Sequence, residues 1–252
     1  MENLLNKIHF ADCLDVLRQI PDGSVDLLLQ DPPFGCTKNK WDIKPDLSKM
    51  WPEWMRVAKG NAAIVMFATQ PFASELILSN QKMFRYDLIW YKALGTGHLN
   101  ANKMPMRNHE HILVFYRSLP TYNPQKKAGE MRMKGSKIGG TTTNYGCFKG
   151  NVSINDQYNP KSVIDFTNGD RTKENDHPTQ KPSDLIRYLI RTYSNPGDVV
   201  FDGYGGSGTT AIAAQMENRK FIVCENDLPY FEVSTERLVN LASAPYLFSD
   251  CG

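Results

Sequence analysis

"GDVVFDGYGGSGTTAIAAQMENRKFIVCEND", residues 197–227, reads as strand, glycine-rich turn, helix and strand. Gly203-x-Gly205-x-x-Gly208 falls directly between the strand and the helix, where glycines allow a tight turn and a close approach to the backbone. The start of the helix offers unpaired N–H groups. Such a unit normally opens a doubly wound sheet, yet here it comes late, with too little chain behind it to finish one. The missing strands must come from the other end of the sequence.

They are there. Residues 1–116 contain the strand-like runs "KIHFAD", "VDLLLQ", "NAAIVMFA", "RYDLIWYK" and "HEHILVFYR", and a helical "CLDVLRQI" with Leu14, Leu17 and Ile20 on one face. Residues 177–252 add "PSDLIRYLIRTY", with Pro182 at its start and Leu185, Ile186, Leu189 and Ile190 on its core face. The last helical run is "YFEVSTERLVNLA". Short, continuous apolar runs suit strands buried on both faces of a parallel sheet under helices. The two halves therefore predict one α/β domain, a doubly wound, mostly parallel sheet in circularly permuted order, with residues 117–176 as an excursion between them.

That excursion differs in texture. It is rich in Gly, Thr, Lys and Asn, and carries ten Lys/Arg against six Asp/Glu, a net of +4. The whole chain of 252 residues is only +2, so its positive charge is concentrated there. Five scattered cysteines with no CxxC spacing argue against a disulfide framework. The opening segment has no signal-peptide core, and no apolar run approaches a bilayer span. The expectation is a reduced, cytoplasmic protein. In "HEH", His109 to His111, two histidines share a strand face with no third ligand near in sequence, which predicts satisfied strand histidines and no metal.

Several ligands use a glycine turn of this kind. A P-loop requires a lysine that "GGSGTT" lacks. A nicotinamide fold starts with this unit near its N-terminus, not at residue 203. S-adenosylmethionine, with an adenosine and no phosphate, needs the turn for close approach, an acid for the ribose hydroxyls and an acid near its methionine end. Glu225 and Asp202 stand at those two places. A glycine turn of purely structural use is the bland alternative.

A second stretch, "LLLQDPPFGC" from Leu27 to Cys36, ends a buried strand on a carboxylate followed by two prolines and an aromatic ring. With "HPTQKP", His177 to Pro182, and "FDGYGGSGTT", it appears in an order that resembles the β-class amino-methyltransferases of DNA nearly end to end. The chain departs from that family at Gly203-Tyr204, where relatives often carry Pro-Phe.

The resemblance implies S-adenosylmethionine as cofactor, duplex DNA as partner and transfer to the N6 amine of a flipped-out adenine. Relatives with Asp first in the tetrapeptide mostly modify adenine, and those with Ser more often cytosine N4, which is the alternative reading together with a DNA-binding relative without turnover. It makes Asp31, Pro32, Pro33 and Phe34 the catalytic tetrapeptide. Asp12, Cys13, Asp31, Lys181, Pro182, Phe201, Asp202, Gly203, Gly205, Ser207, Gly208, Thr209, Thr210, Glu225 and Asn226 become candidate cofactor contacts. Residues 117–176 fall where relatives carry target recognition, so Lys126, Lys127, Arg132, Lys134, Lys137 and Lys149, with Lys38 and Lys40 of the loop after the tetrapeptide, become candidate DNA contacts. A homodimer and a cognate restriction endonuclease are candidate partners that the sequence leaves open.

Overall fold

The computed structural model describes residues 1–37, 39, 42–136, 138–144, 146–167 and 180–243. Lys38, Lys40, Lys137 and His177 to Thr179 lie outside the described residues. The chain forms two compact units, Met1–Asn123 with Ser162–Gly252, and Pro124–Lys161.

The larger unit runs β1 (Lys7–Phe10), α1 (Cys13–Leu17), β2 (Val25–Gln30), α2 (Leu47–Val57), β3 (Ala58–Ala68), α3 (Phe72–Ser79), β4 (Phe84–Thr96) and β5 (Arg107–Phe115). The smaller unit holds β6 (Lys127–Ser136), β7 (Gly140–Thr142), β8 (Gly146–Phe148) and β9 (Asn151–Tyr158). The larger one resumes with β10 (Val163–Asp165), α4 (Ser183–Tyr193), β11 (Val199–Asp202), α5 (Thr209–Met216), β12 (Lys220–Glu225) and α6 (Leu228–Ser243).

Its sheet has the order β1-β12-β11-β2-β3-β5-β4-β10. Only β5 is antiparallel to its neighbours. The C-terminal strands β12 and β11 sit between β1 and β2, with Lys7 opposite Ile222 and Leu28 opposite Phe201. This is the permuted doubly wound sheet expected from the late glycine turn.

Strand alternation builds the core on both faces. Leu28, Ile64 and Met66 face a cluster with Val16, Trp54 and Phe72 from α1, α2 and α3. Leu27, Leu29, Val65 and Phe67 face the opposite cluster, which contains Leu185, Ile186, Leu189 and Ile190 of α4. All four apolar positions of that helix expected in the core are there. In α1 the buried face is Cys13, Val16 and Leu17, so Leu14, expected on the core face, is only partly buried. The helix ends one turn early, at Leu17, and Ile20 is buried beyond it.

The separate unit is shorter than the excursion of residues 117–176. Val163–Asp165 pairs in parallel with β4, and residues 117–123 stay with the large unit. Within the small unit, β6 pairs antiparallel with β9, and β7 with β8. Parallel pairing then sets the register that matters for a site. The carboxyl ends of β1, β12, β11 and β2 lie side by side, so residues 12, 31, 202 and 225 come to one edge. In open parallel sheets, that edge is where ligands bind.

Candidate active site

One cavity opens at this edge. Asp31, Pro32, Pro33 and Phe34 line it from the β2 exit. Asp12 and Cys13 line it from the β1 exit, and Lys181 from the approach to α4. Asp202, Gly203, Gly205, Ser207, Thr209 and Thr210 line it from the glycine turn, and Glu225 and Asn226 from the β12 exit. Three residues expected at the site do not line it. Phe201 points the other way by strand alternation and is wholly buried in the core. Gly208 packs on α6, where a Cβ would lie 2.8 Å from the Ser234 Cβ. The Pro182 carbonyl accepts the Leu185 and Ile186 N–H groups and so starts α4.

The glycine turn is tied down residue by residue. Gly203 N–H donates to Gln30 Oε1 at 3.1 Å, and Tyr204 N–H to Asp202 Oδ1 at 2.9 Å. Gly205 N–H donates to the Cys224 carbonyl at 2.7 Å, and Gly206 N–H to Glu225 Oε2 at 2.6 Å. A Cβ at Gly203 would meet Cys13 Sγ at 2.3 Å, so the position has no room for a side chain beside Cys13. A Cβ at Gly205 would meet Val223 Cγ1 at 2.4 Å. The cradle is formed by backbone lying directly on its neighbours.

Its acids are shaped by burial. Asp202 is almost wholly buried, and its carboxyl is pushed up to about 7 by loss of hydration, with hydrogen bonds from Thr210 and Tyr204 opposing. Burial also raises Glu225, opposed by backbone N–H groups of Asp227, Gly206 and Asn226. Each Glu225 oxygen accepts one backbone N–H in the structure, at 2.6 and 2.8 Å, which leaves lone pairs for hydroxyl groups. Asp12 serves twice, lining the cavity while its Oδ1 accepts Leu14 N–H at 2.8 Å as the N-cap of α1.

On the β2 side, Lys181 Nζ donates to Asp31 Oδ2 at 2.7 Å. Asp31 keeps 28% of its side-chain surface exposed, whereas Lys181 keeps only 8%. Burial raises the Asp31 carboxyl, and the Lys181 ammonium works against it. Burial pulls Lys181 down, but the carboxylates of Asp31 and Glu110 more than reverse that. The same ammonium lies 5.0 Å from the Phe67 ring centre and 5.6 Å from that of Phe34.

Other contributors were not among the candidates read from the sequence. Gln30, fully buried, bridges β2 to β11: beside its bond to Gly203, its Nε2 donates to the Phe201 carbonyl at 2.8 Å. Asp42 braces the chain after the tetrapeptide, accepting Gly35 N–H at 2.8 Å and Thr37 N–H at 2.6 Å. Tyr204 and Tyr230 add two aromatic walls. Glutamine at a strand end and aspartate within "KWDIKPD" carry no pattern that marks these roles.

Gln180, the fourth residue of "HPTQKP", lines the cavity 8% exposed, and neither of its amide atoms has a hydrogen-bond partner among the described residues. Buried polar groups without partners are rare, and this one belongs beside a polar ligand. With the glycine cradle and the two strand-end acids, these residues fit S-adenosylmethionine. His111 bonds Asp87 Oδ2 through Nδ1 at 3.1 Å, so that histidine is satisfied in its strand.

In the small unit, Lys126, Lys127 and Lys149 are exposed. Arg132 pairs with Glu130 at 2.5 Å. Lys134 donates to Asn155 Oδ1 at 3.0 Å and lies 3.6 Å from the centre of the Tyr158 ring. Two of the basic residues thus have partners within their own unit.

The DNA methylase model for the N6/N4 methyltransferases matches residues 25–236. The chain is 30% identical to the Type II methyltransferase M.BglII of Bacillus subtilis, over 93% of this chain and 69% of that one. It is 30% identical to the DNA adenine methyltransferase YhdJ of Escherichia coli, over 94% and 83%. The M1.HpyAVI–SAM complex superposes with a TM-score of 0.64 at 22% identity, covering 92% of this chain and 98% of that one. The cytosine-N4-specific PvuII DNA methyltransferase superposes at 0.63 and 16%, covering 94% and 91%. The chain belongs to the N6/N4 DNA methylase family, whose members move a methyl group from S-adenosylmethionine to an exocyclic amine of DNA.

Proposed function

We propose that this chain methylates the N6 amine of adenine in duplex DNA, with Asp31 as the residue that receives the amine. The observation that carries the proposal is that the partly exposed Asp31 carboxylate opens into the same cavity as the glycine cradle and Asp202.

When bound, S-adenosylmethionine supplies an electrophilic methyl group on a sulfonium. An exocyclic amine is a poor nucleophile because its lone pair is delocalised into the ring. Two acceptors on its N–H groups favour the pyramidal form with a directed lone pair. Asp31 provides one, and the Pro32 carbonyl the other. Proline holds φ near −65° and presents no competing N–H. As positive charge builds on the amine, the fixed carboxylate stabilises it. Asp31 is raised by burial, which makes it a stronger acceptor for the proton that leaves after transfer.

A base inside a duplex cannot reach this cavity and must be flipped out. Phe34, a cavity wall beside Phe72 at 5.9 Å between ring centres, offers the stacking face. Asp202 faces the methionine end of the cofactor, Glu225 the ribose hydroxyls, and Asp12 the adenine amine. The basic small unit contributes phosphate contacts through Lys126, Lys127 and Lys149. From the resemblance we also carry a cytoplasmic location, a homodimer and a cognate restriction endonuclease, the dimer to be checked by light scattering.

Adenine is supported by the aspartate that leads the tetrapeptide and by the adenine methyltransferase among the relatives. Cytosine N4 is the second reading, favoured by the cytosine-specific PvuII enzyme, whose fold is as close as that of the M1.HpyAVI–SAM complex. The two separate when treated DNA is digested to nucleosides. N6-methyladenine is expected, and N4-methylcytosine without it overturns the choice of base.

A further inference from the structure

Behind the Lys181–Asp31 pair stand two more charges. Glu110 of β5 lies opposite Trp90 of β4, and alternation turns it away from the sheet face of His109 and His111. It is buried, 8% exposed, although it lies outside the cavity. Its Oε1 accepts the Lys92 ammonium, and its Oε2 is 3.4 Å from Lys181 Nζ without forming a hydrogen bond. The groups thus alternate as Lys92, Glu110, Lys181, Asp31, and only the last two reach the cavity.

Isolated buried charges are costly, so such a row persists only when each member has a partner. The cavity pair alone is electrically neutral: Lys181 would cancel the Asp31 charge that an incoming amine needs. We propose that Glu110 is a positioning residue for methyl transfer: from 3.4 Å it shares the charge of the Lys181 ammonium, so that Asp31, although hydrogen-bonded to that ammonium, still presents negative charge to the amine. Lys92 pairs with Glu110 in turn and limits that sharing. The inference rests on the role proposed above for Asp31.

The groups facing Asp31 are Lys181 ahead of α4, Glu110 of β5, Lys92 of β4 and Asp202 of β11. Of these, Glu110 raises the Asp31 carboxyl, and Lys181 and Lys92 lower it. Removing Glu110 is therefore expected to lower the Asp31 carboxyl and removing Lys92 to raise it, and a role in transfer requires the Glu110 shift to be matched by a slower reaction.

The test is the carboxyl 13C titration of Asp31 in the ligand-free protein, assigned with Asp31→Asn, for wild type, Glu110→Gln and Lys92→Met. The midpoint is expected to fall in Glu110→Gln and rise in Lys92→Met. In parallel, single-turnover transfer to duplex DNA at saturating S-adenosylmethionine is expected to slow on the order of tenfold or more in Glu110→Gln. Calorimetric affinity for S-adenosylmethionine should stay within about threefold, since Glu110 does not line the cavity. Midpoints that move together or stay in place overturn the proposal, as does an undiminished transfer rate. If Glu110→Gln does not fold, Lys92→Met decides by the direction of its midpoint. The titration uses no substrate, so it judges Glu110 even where the wild type transfers no methyl group, a result that overturns the proposed function instead.

Discussion

Gln30 and Gly203 are joined by a hydrogen bond from the glycine N–H to the glutamine Oε1, at 3.1 Å across 173 positions of sequence. The same side chain donates to the Phe201 carbonyl. One buried amide thus ties the strand that delivers Asp31 to the strand that delivers the glycine cradle. In a circularly permuted sheet no covalent connection does so. Gln30→Ala removes both bonds and strands a buried N–H, at a cost of about 1–3 kcal/mol. Urea unfolding should report that loss, and a change under about 0.5 kcal/mol would remove Gln30 from this role.

Asp202 gives the protein a pH dependence of definite sign. Its carboxyl titrates at about 7 in the folded chain and near 3.8 when unfolded. Between those values the folded state binds more protons, so stability falls as pH rises from about 4 to 7. The contribution is on the order of a few kcal/mol. Asp202→Asn should flatten that slope in thermal melts. A cation bound beside Asp202 lowers its carboxyl again, so S-adenosylmethionine should release protons when it binds near pH 6. Calorimetry in buffers of different ionisation enthalpy reads this directly, and identical release from Asp202→Asn would assign it elsewhere.

Cys13 explains the glycine at 203, and the explanation has a reciprocal test. Gly203→Ala places a Cβ 2.3 Å from the Cys13 sulfur, with Gln30 Oε1 at 3.0 Å. Overpacking of this kind costs about 1–3 kcal/mol. Removing the sulfur with Cys13→Ala should recover most of the loss in the double variant. Additive losses would mean that the turn is constrained by its backbone rather than by Cys13.

The basic residues of the small unit should not contribute alike. Lys126 and Lys127 are exposed, whereas Arg132 and Lys134 have partners of their own. Replacing Lys126 and Lys127 together by alanine should lower the salt dependence of DNA binding by about 2 in log–log slope. Replacing Arg132 and Lys134 should change it less. An equal change in the two double variants would contradict the assignment.

How much of this was open to a reader of the sequence follows from range. The tetrapeptide at 31–34 and the turn at 202–210 are local patterns, and the parallel register brought them to one edge as expected. The permutation was visible because strand–turn–helix–strand stood at the wrong end of the chain. Gln30, Glu110 and Asp42 were not legible, since each acts on residues that only sheet pairing or loop closure brings near. Helix α2 escaped notice with a proline, Pro52, inside it, although Met50, Trp51, Trp54 and Val57 make its buried face. The ladder of β6 and β9 was hidden for another reason. Met131, Met133 and Ile154 are exposed, so no alternation of buried and exposed residues marks it.

Whether Asp31 receives the amine during methyl transfer is read from incorporation of labelled methyl from S-adenosylmethionine into duplex DNA by wild type and by Asp31→Ala, with S-adenosylmethionine binding and melting temperature measured on both. Label in N6-methyladenine is expected for the wild type and none above background for Asp31→Ala, which still folds. Turnover by Asp31→Ala near the wild-type rate would contradict that role.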